Sequence, residues 1–161
     1  MKGKKLLVSL LAAVVLVAVM VTPVMAATET EITGTVPKAI EVSAPTTFAM
    51  PSLDPASSPI ESTPAKTAIV NANHTGWQLT VIGSSSGKMS GTAGTLTNAM
   101  LVKGGDETTY TSLASAVTLE GSGAAGESQT ISDISFQQAV TWGDVAGAYS
   151  ITVTFTATPG T

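Results

Sequence analysis

The sequence predicts an all-β protein, a single antiparallel β-sandwich that follows an N-terminal signal peptide. Three observations predict this class. Apolar and polar residues alternate with a period of two in several segments, Gly- and Ser-rich turns separate these segments, and no apolar stripe of helical period covers about 11 residues after the N-terminal region. Successive side chains of a strand point to opposite faces, so this alternation is typical of half-buried strands.

The first 26 residues have the three parts of a secretory signal peptide. Basic residues at 2–5 precede an uncharged apolar run at 6–21, and Pro23 ends this run before the small residue Ala26. We expect cleavage after Ala26 and therefore a secreted protein, extracellular or at the cell surface. Two alternatives stay open: an uncleaved anchor, which would make the membrane a partner through the leader alone, and a pilin-like leader cut near Gly3.

The mature chain, residues 27–161, is acidic and rich in hydroxyl groups. It has four lysines, no arginine and eleven acids, which gives a formal charge of −7, and 40 of its residues are Ser or Thr. This balance argues against nucleic-acid binding, which needs clustered Lys and Arg. The absence of cysteine excludes disulfides, thiolate metal sites and cysteine nucleophiles. We expect no cofactor.

The alternation predicts the strands one after another along the chain. The predicted strands are 31–36, 39–43, 68–71, 77–81, 99–103, 116–120, 129–138 and 149–158. The last is the clearest, with apolar residues at the odd positions 149–157 and Ser or Thr at the even positions. Within 129–138 the apolar phase slips between Ile131 and Ile134, which predicts a bulge around Asp133.

The connections between these strands have turn composition. Residues 45–64 contain five of the eight prolines. Proline donates no hydrogen bond to a central strand ladder, so this stretch is predicted to be a long loop or an edge crossing. Glycines mark shorter turns at 83–87, 91–94, 104–106 and 121–126. No internal repeat and no second domain is visible, so residues 27–161 are expected to form one domain.

Few residues suggest catalytic or metal chemistry. Gly83–Gly87 has the G-x-S-x-G spelling of a nucleophile elbow, but no helix is predicted after it and the single histidine, His74, lies upstream. We interpret it as a hairpin loop and His74 as a surface or turn residue. The acids at 106–107, Asp133 and Asp144 leave calcium binding open, although no known ligand spacing supports it. Asn73 begins an N-x-T glycosylation acceptor sequence.

The aromatic residues are few, and most lie on apolar strand faces. Trp77, Phe136, Tyr149 and Phe155 are therefore expected in the core. Trp142 and Tyr110 lie outside the clear alternation, and they are the better candidates for an exposed platform that stacks on sugars.

Two motifs near the middle and the end of the chain resemble the WxL domain family. Gly76–Val81 contains Trp-x-Leu, and 149–159 resembles the second motif, in which a Tyr begins the last strand, an aromatic follows six residues later and a Pro closes the domain. Phe155 stands where the family has Trp. The resemblance implies an all-β module of exported bacterial surface proteins that attaches non-covalently to the cell wall. By resemblance, the motif residues are Trp77, Leu79, Tyr149 and Phe155.

Together these observations predict a secreted, non-enzymatic cell-surface or cell-wall-associated protein that binds a surface polymer through strand faces and loops. The alternative is an extracellular fibre subunit, a pilus or matrix filament whose partners are copies of itself. In that case, an N-terminal strand at 28–36 would be donated to the open sheet edge of a neighbour. A secreted hydrolase that uses paired carboxylates is a third hypothesis, but nothing in the sequence selects a pair.

Overall fold

The computed structural model describes residues 31–160. A compact unit begins at Val36, and it consists of antiparallel strands with short connections. The predicted leader at 1–26 and the residues 28–30 of the expected donor strand lie outside the described residues. Within the described part, no helix combines the length and the apolar character needed to cross a membrane.

Eleven strands follow one another in residues 31–160. They are β1 (Ile40–Ser43), β2 (Ile60–Glu61), β3 (Lys66–Ala72), β4 (Trp77–Gly83), β5 (Ser90–Gly91), β6 (Gly94–Thr95), β7 (Leu101–Gly104), β8 (Glu107–Ser112), β9 (Val117–Gly123), β10 (Gly126–Gln138) and β11 (Val153–Thr158). One 3-10 turn lies at Pro55–Ser57, and a tight turn follows β4 at Ser84–Gly87, where Ser85 and Ser86 both have positive φ.

The strands form two packed antiparallel sheets, so the predicted β-sandwich is confirmed. The larger sheet has the order β1-β3-β10-β7-β8, with β2 also paired to β10, and the smaller sheet has the order β11-β4-β9. The β5-β6 hairpin is a separate two-stranded ladder, and its Ser90 exchanges backbone hydrogen bonds with Ser150, just before β11. At the sandwich borders β1 lies beside β11 and β8 lies beside β9.

The long strand β10 links the two halves of the larger sheet. Its first half pairs with β3, and its second half pairs with β7 and β2. The register shifts between Ile131 and Ile134, where Asp133 has a φ of 59°. The bulge predicted around Asp133 is therefore confirmed, and it keeps Ile131 and Ile134 both buried despite their three-residue spacing.

The core lies between the two sheets and is made from the inward positions of the alternating segments. In β4 the burial alternates strictly from Trp77 to Val81, and β3 behaves likewise from Ala68 to Ala72. β11 also alternates, but its inward residues are only half-buried. The apolar face of β11 is therefore less covered than that of its neighbour β4.

The strand predictions differ from the structure in several places. The last predicted strand, 149–158, begins only at Val153, and the sequence does not predict the two-residue strands β2, β5 and β6. Residues 31–36 were predicted as a strand, but they belong to no strand and every side chain is exposed. β8 was not predicted, because Glu107–Ser112 has almost no apolar residues to alternate. The proline-rich segment 45–64 is mainly loop, as expected, and contributes only the two-residue strand β2 to a sheet.

Candidate functional site: the Trp142 loop

The first WxL-like motif lies inside the protein. Trp77 and Leu79 are 1% and 0% exposed, and the indole Nε1 of Trp77 donates a hydrogen bond of 2.7 Å to the carbonyl of Ala124. These residues therefore lack the accessible surface that a direct contact with a ligand needs. Their position agrees with the interpretation of both as core residues.

The second motif lines a cleft. Tyr149 and Phe155 are half-buried and pack against the core. They border a cavity of about 400 Å³ between residues 45–50 and the chain leading into β11. Apolar side chains such as Met89, Met100 and Phe136 line this cleft together with the polar residues Thr46, Thr47 and Ser150, so its surface is about as polar as it is apolar.

Tyr110 is less exposed than the sequence analysis expects. Its ring is half-buried on β8, and the ammonium group of Lys103 lies 4.4 Å from the ring centroid. Because Lys103 covers one face of the ring, that face is closed to a sugar. Burial raises the pKa of the Tyr110 hydroxyl, and this hydroxyl has no hydrogen-bond partner among the described residues.

Trp142 has the exposure that the sequence analysis expects. It lies in the connection between β10 and β11, of which we call residues 139–149 the Trp142 loop. The Trp142 side chain is 82% exposed, and Val145 beside it is 62% exposed. These are the only two large hydrophobic residues of the loop that face solvent to this extent.

The carboxylate of Asp144 fixes the tip of this loop. Its Oδ1 accepts hydrogen bonds of 2.8 Å from both the backbone N–H and the hydroxyl of Thr97. Its Oδ2 accepts from the backbone N–H of Thr141 at 2.8 Å and from the Thr141 hydroxyl at 3.1 Å. The backbone N–H of Asp144 donates in return to the Thr141 carbonyl at 3.1 Å. Trp142 is thus held within a tight turn that is anchored to a distant part of the chain.

These hydrogen bonds also set the charge state of the turn. The four donors from Thr141 and Thr97 lower the pKa of Asp144 from 3.8 to about 2. The carboxylate is therefore ionised at any physiological pH, with its oxygens already used by the protein. Its hydrogen bonds position the turn that holds Trp142.

A hollow of about 280 Å³ lies behind Trp142. Leu53, Leu96 and Val140 contribute apolar walls, and the Tyr149 hydroxyl donates to the Val145 carbonyl. An exposed indole beside a shallow apolar hollow can stack on the C–H face of a sugar ring or receive an apolar side chain.

The sequence identifies Trp142 as an exposed residue, but the hydrogen bonds of Asp144 that hold its loop were not predicted. The signal was present in Thr141-Trp-Gly-Asp144, since Thr-x-x-acid is the spacing in which an acidic side chain reaches back to a backbone N–H three residues earlier. The contribution of Thr97 could not be found this way, because it lies 47 residues from Asp144 along the chain.

Asn73 has a structural role that the sequence did not indicate. Its Nδ2 donates to the Pro37 carbonyl at 2.8 Å, and its Oδ1 accepts from the backbone N–H of Ala39 at 2.8 Å. The side chain thus clamps the chain just before β1. Glycosylation at Asn73 stays a prediction, and a glycan would have to be attached to the nitrogen that makes this contact.

The remaining candidates do not assemble into a reactive site. The serines of Gly83–Gly87 form a left-handed turn whose Ser84 exchanges hydrogen bonds with Thr152. His74 approaches Asn73 Oδ1 at 3.3 Å. Among residues 31–160, no three side chains of His, Cys, Asp or Glu are grouped closely enough to hold a metal ion. The calcium site left open by the sequence is therefore not assembled in the described part of the chain.

No protein-family model matches this chain. No curated protein sequence matches it either.

Proposed function

We propose that this protein is an exported, non-enzymatic β-sandwich that binds a neutral surface polysaccharide through the Trp142 loop. The observation that carries the proposal is an indole 82% exposed to solvent in a turn that four hydrogen bonds fix. Leaving a large aromatic side chain in water is unfavourable unless a partner covers it, and a fixed loop loses little conformational entropy on binding.

Charge indicates which polymer fits the loop. The mature chain has a formal charge of −7, so it repels polyanions at close range. A neutral sugar chain avoids this repulsion and offers C–H faces to Trp142. The flanking hydroxyl of Thr141, which is exposed, supplies a polar group at the rim of the hollow.

The part of the proposal that concerns export and surface location is supported by the sequence. The support comes from the basic, apolar and small-residue parts of residues 1–26 and from the resemblance to the WxL family. Attachment to the cell wall is part of the same proposal, since an exported chain with an exposed sugar-stacking residue needs no covalent anchor.

The test is retention of the mature chain, residues 27–161, on insoluble cell-wall polysaccharide. Trp142→Ala should abolish retention, and Trp142→Phe should keep part of it because a smaller ring still stacks. Ile82→Ala is the matched control, since Ile82 is also an exposed apolar residue, at 41%, but it lies in β4. Equal retention of the wild type and Trp142→Ala would contradict the proposal.

Trp142 also supplies a direct optical readout. The chain has two tryptophans, and Trp77 is buried while Trp142 is exposed. Binding of a sugar to the loop should therefore shift the emission of the wild type to shorter wavelength and leave the emission of Trp142→Phe unchanged. A shift in both proteins would place binding elsewhere.

A second function, that of a fibre subunit, is favoured by a different observation. Residues 31–36 are exposed and alternate between apolar and polar side chains, and the same chain has an open cleft beside β11.

A further inference from the structure

Residues 31–36 have a strand pattern without being part of a strand. Ile32 and Val36 are 92% and 83% exposed, and they alternate with Glu31, Thr33 and Thr35. Two apolar side chains on one face, with Gly34 between them, form the pattern that a half-buried strand requires. The segment therefore has an apolar face that this structure leaves in solvent.

The cleft beside β11 contains apolar side chains that the rest of the chain covers only in part. β11 has β4 as its one ladder partner and β1 beside its other edge, and its inward residues Val153 and Phe155 are only half-buried. Together with Phe48, Met50 and Ile151 they surround the cavity of about 400 Å³. The chain that leads into β11 has these incompletely covered apolar side chains beside it, and such a segment can accept a further strand.

The direction of β1 decides which copy can fill the cleft. Lys38 Nζ donates to the Gly160 carbonyl at 2.7 Å, beyond the end of β11, and Asn73 clamps Pro37 at the same end of β1. From there β1 runs toward Pro45, where the cleft begins. The chain that precedes Pro37 thus enters at the end of β1 that is farther from the cleft.

We propose that residues 32–36 of one copy dock as a strand in the cleft beside β11 of a second copy. Ile32 and Val36 would contact the apolar side chains of the cavity, and the backbone would pair with the free side of the chain that leads into β11. Glu31 of the incoming segment would approach Lys66, which lies 5.4 Å from the ring of Phe48 at the cleft. Because the donor segment joins the chain at Pro37, at the end of β1 that is farther from the acceptor cleft, the contact repeats head to tail and produces a filament.

Light scattering after size-exclusion chromatography of the mature chain tests the donor segment. We expect species larger than a monomer whose mass rises with concentration. The double variant Ile32→Asp/Val36→Asp should be monomeric, because it places charges against the apolar side chains of the cavity. The matched control Thr33→Asp/Thr35→Asp changes the other face of the segment by the same charge and should still assemble.

Two outcomes would overturn the proposal. One is a wild-type chain that stays monomeric up to roughly 1 mM, where even weak association is populated. The other is assembly that persists unchanged in Ile32→Asp/Val36→Asp. Trp142→Ala should assemble like the wild type, so failure of this proposal and failure of polysaccharide binding are distinguishable.

Cysteine cross-linking tests the cleft itself, since the chain has no cysteine of its own. A copy with Gly34→Cys is mixed with a copy with Thr47→Cys, whose side chain is exposed at the cleft border. Oxidation should give a covalent heterodimer. The control partner, Thr118→Cys, is exposed on β9 away from the cleft and should give several-fold less. Equal cross-linking to both partners would refute docking in the cleft.

Discussion

Trp77 and Gly123 face each other in the register of β4 and β9, and the indole fills the space that any larger residue would need at 123. A Cβ atom on Gly123 would lie 2.0 Å from Cε2 of Trp77. The backbone on both sides of this pair is fixed as well, by bonds from Gly76 N–H to the Gly123 carbonyl at 2.8 Å and from the Trp77 indole to Ala124 at 2.7 Å. The motif tryptophan therefore sets how closely β9 approaches β4.

Gly123→Ala should destabilise the protein by about 1–3 kcal/mol, because a methyl group would overlap the Trp77 ring and the core would have to shift. Urea unfolding measures this effect. The control is Gly121→Ala on the same strand, whose added Cβ would have its nearest neighbour at 3.8 Å. If both variants unfolded at the same urea concentration, close packing of Trp77 on Gly123 would be refuted.

Asp133 holds the bulge of β10 with a φ of 59°, a conformation that β-branched residues rarely adopt. Asp133→Val should therefore cost about 1–3 kcal/mol of stability in urea unfolding. Asp133→Asn is the control, since Asn tolerates positive φ and can still accept the hydrogen bond from Ser132. A valine variant as stable as the asparagine variant would argue against this bulge.

The same bulge shows how much of the fold the sequence could predict. A phase slip between Ile131 and Ile134 is a local feature, so its position could be read from residue spacing. The alternation in β4 and β11 was equally local, and it predicted which side chains point inward. By contrast, β8 has almost no apolar residues, and residues 31–36 alternate without pairing in this structure. Whether a segment pairs in a sheet depends on its partner strand, and the periodicity of the segment itself does not identify that partner.

Some features of the candidate site could likewise be predicted from the sequence, and others could not. Exposure of Trp142 could be expected because it stands outside the strand alternation. Tyr110 met the same criterion, but the structure places Lys103 against its ring. The anchoring of Trp142 depends on Thr97, a contact made across 47 residues, and such contacts follow only from the assembled fold.

Asn73 should stabilise the protein through its side-chain clamp, whether or not it bears a glycan. Asn73→Asp keeps an acceptor for Ala39 N–H but places a carboxylate oxygen opposite the Pro37 carbonyl, in place of a donor. We expect a loss of about 1 kcal/mol in urea unfolding of unglycosylated protein.

Thr75→Ala separates the two roles of Asn73. It removes the glycosylation acceptor sequence and leaves the clamp intact, so its stability should match that of the wild type. In a host that N-glycosylates exported proteins, the intact mass of wild type and Thr75→Ala would reveal any glycan. Equal stability of Asn73→Asp and Thr75→Ala would contradict the clamp.

Asp144→Asn should loosen the Trp142 loop at neutral pH, because an amide replaces one acceptor oxygen by a donor that faces the N–H donors of Thr97 or Thr141. The free energy of unfolding should fall relative to wild type, and quenching of Trp142 fluorescence should report increased mobility of the loop. Glu127→Gln is the control for the lost charge, since Glu127 is exposed.

The pH dependence tests the same carboxylate independently. The folded protein lowers the pKa of Asp144 from 3.8 to about 2, so the folded state favours the ionised form. Its stabilisation is complete above the unfolded pKa and is lost as the pH falls from 3.8 toward about 2. Asp144→Asn has no such titration. The difference in unfolding free energy between wild type and Asp144→Asn should therefore be constant above this window and shrink within it.

The hydrogen bonds from Thr109 also lower the pKa of Glu107, but Glu107 is common to both proteins and cancels in the difference. A difference that stays constant down to pH about 2 would show that Asp144 does not hold the loop as an ionised carboxylate.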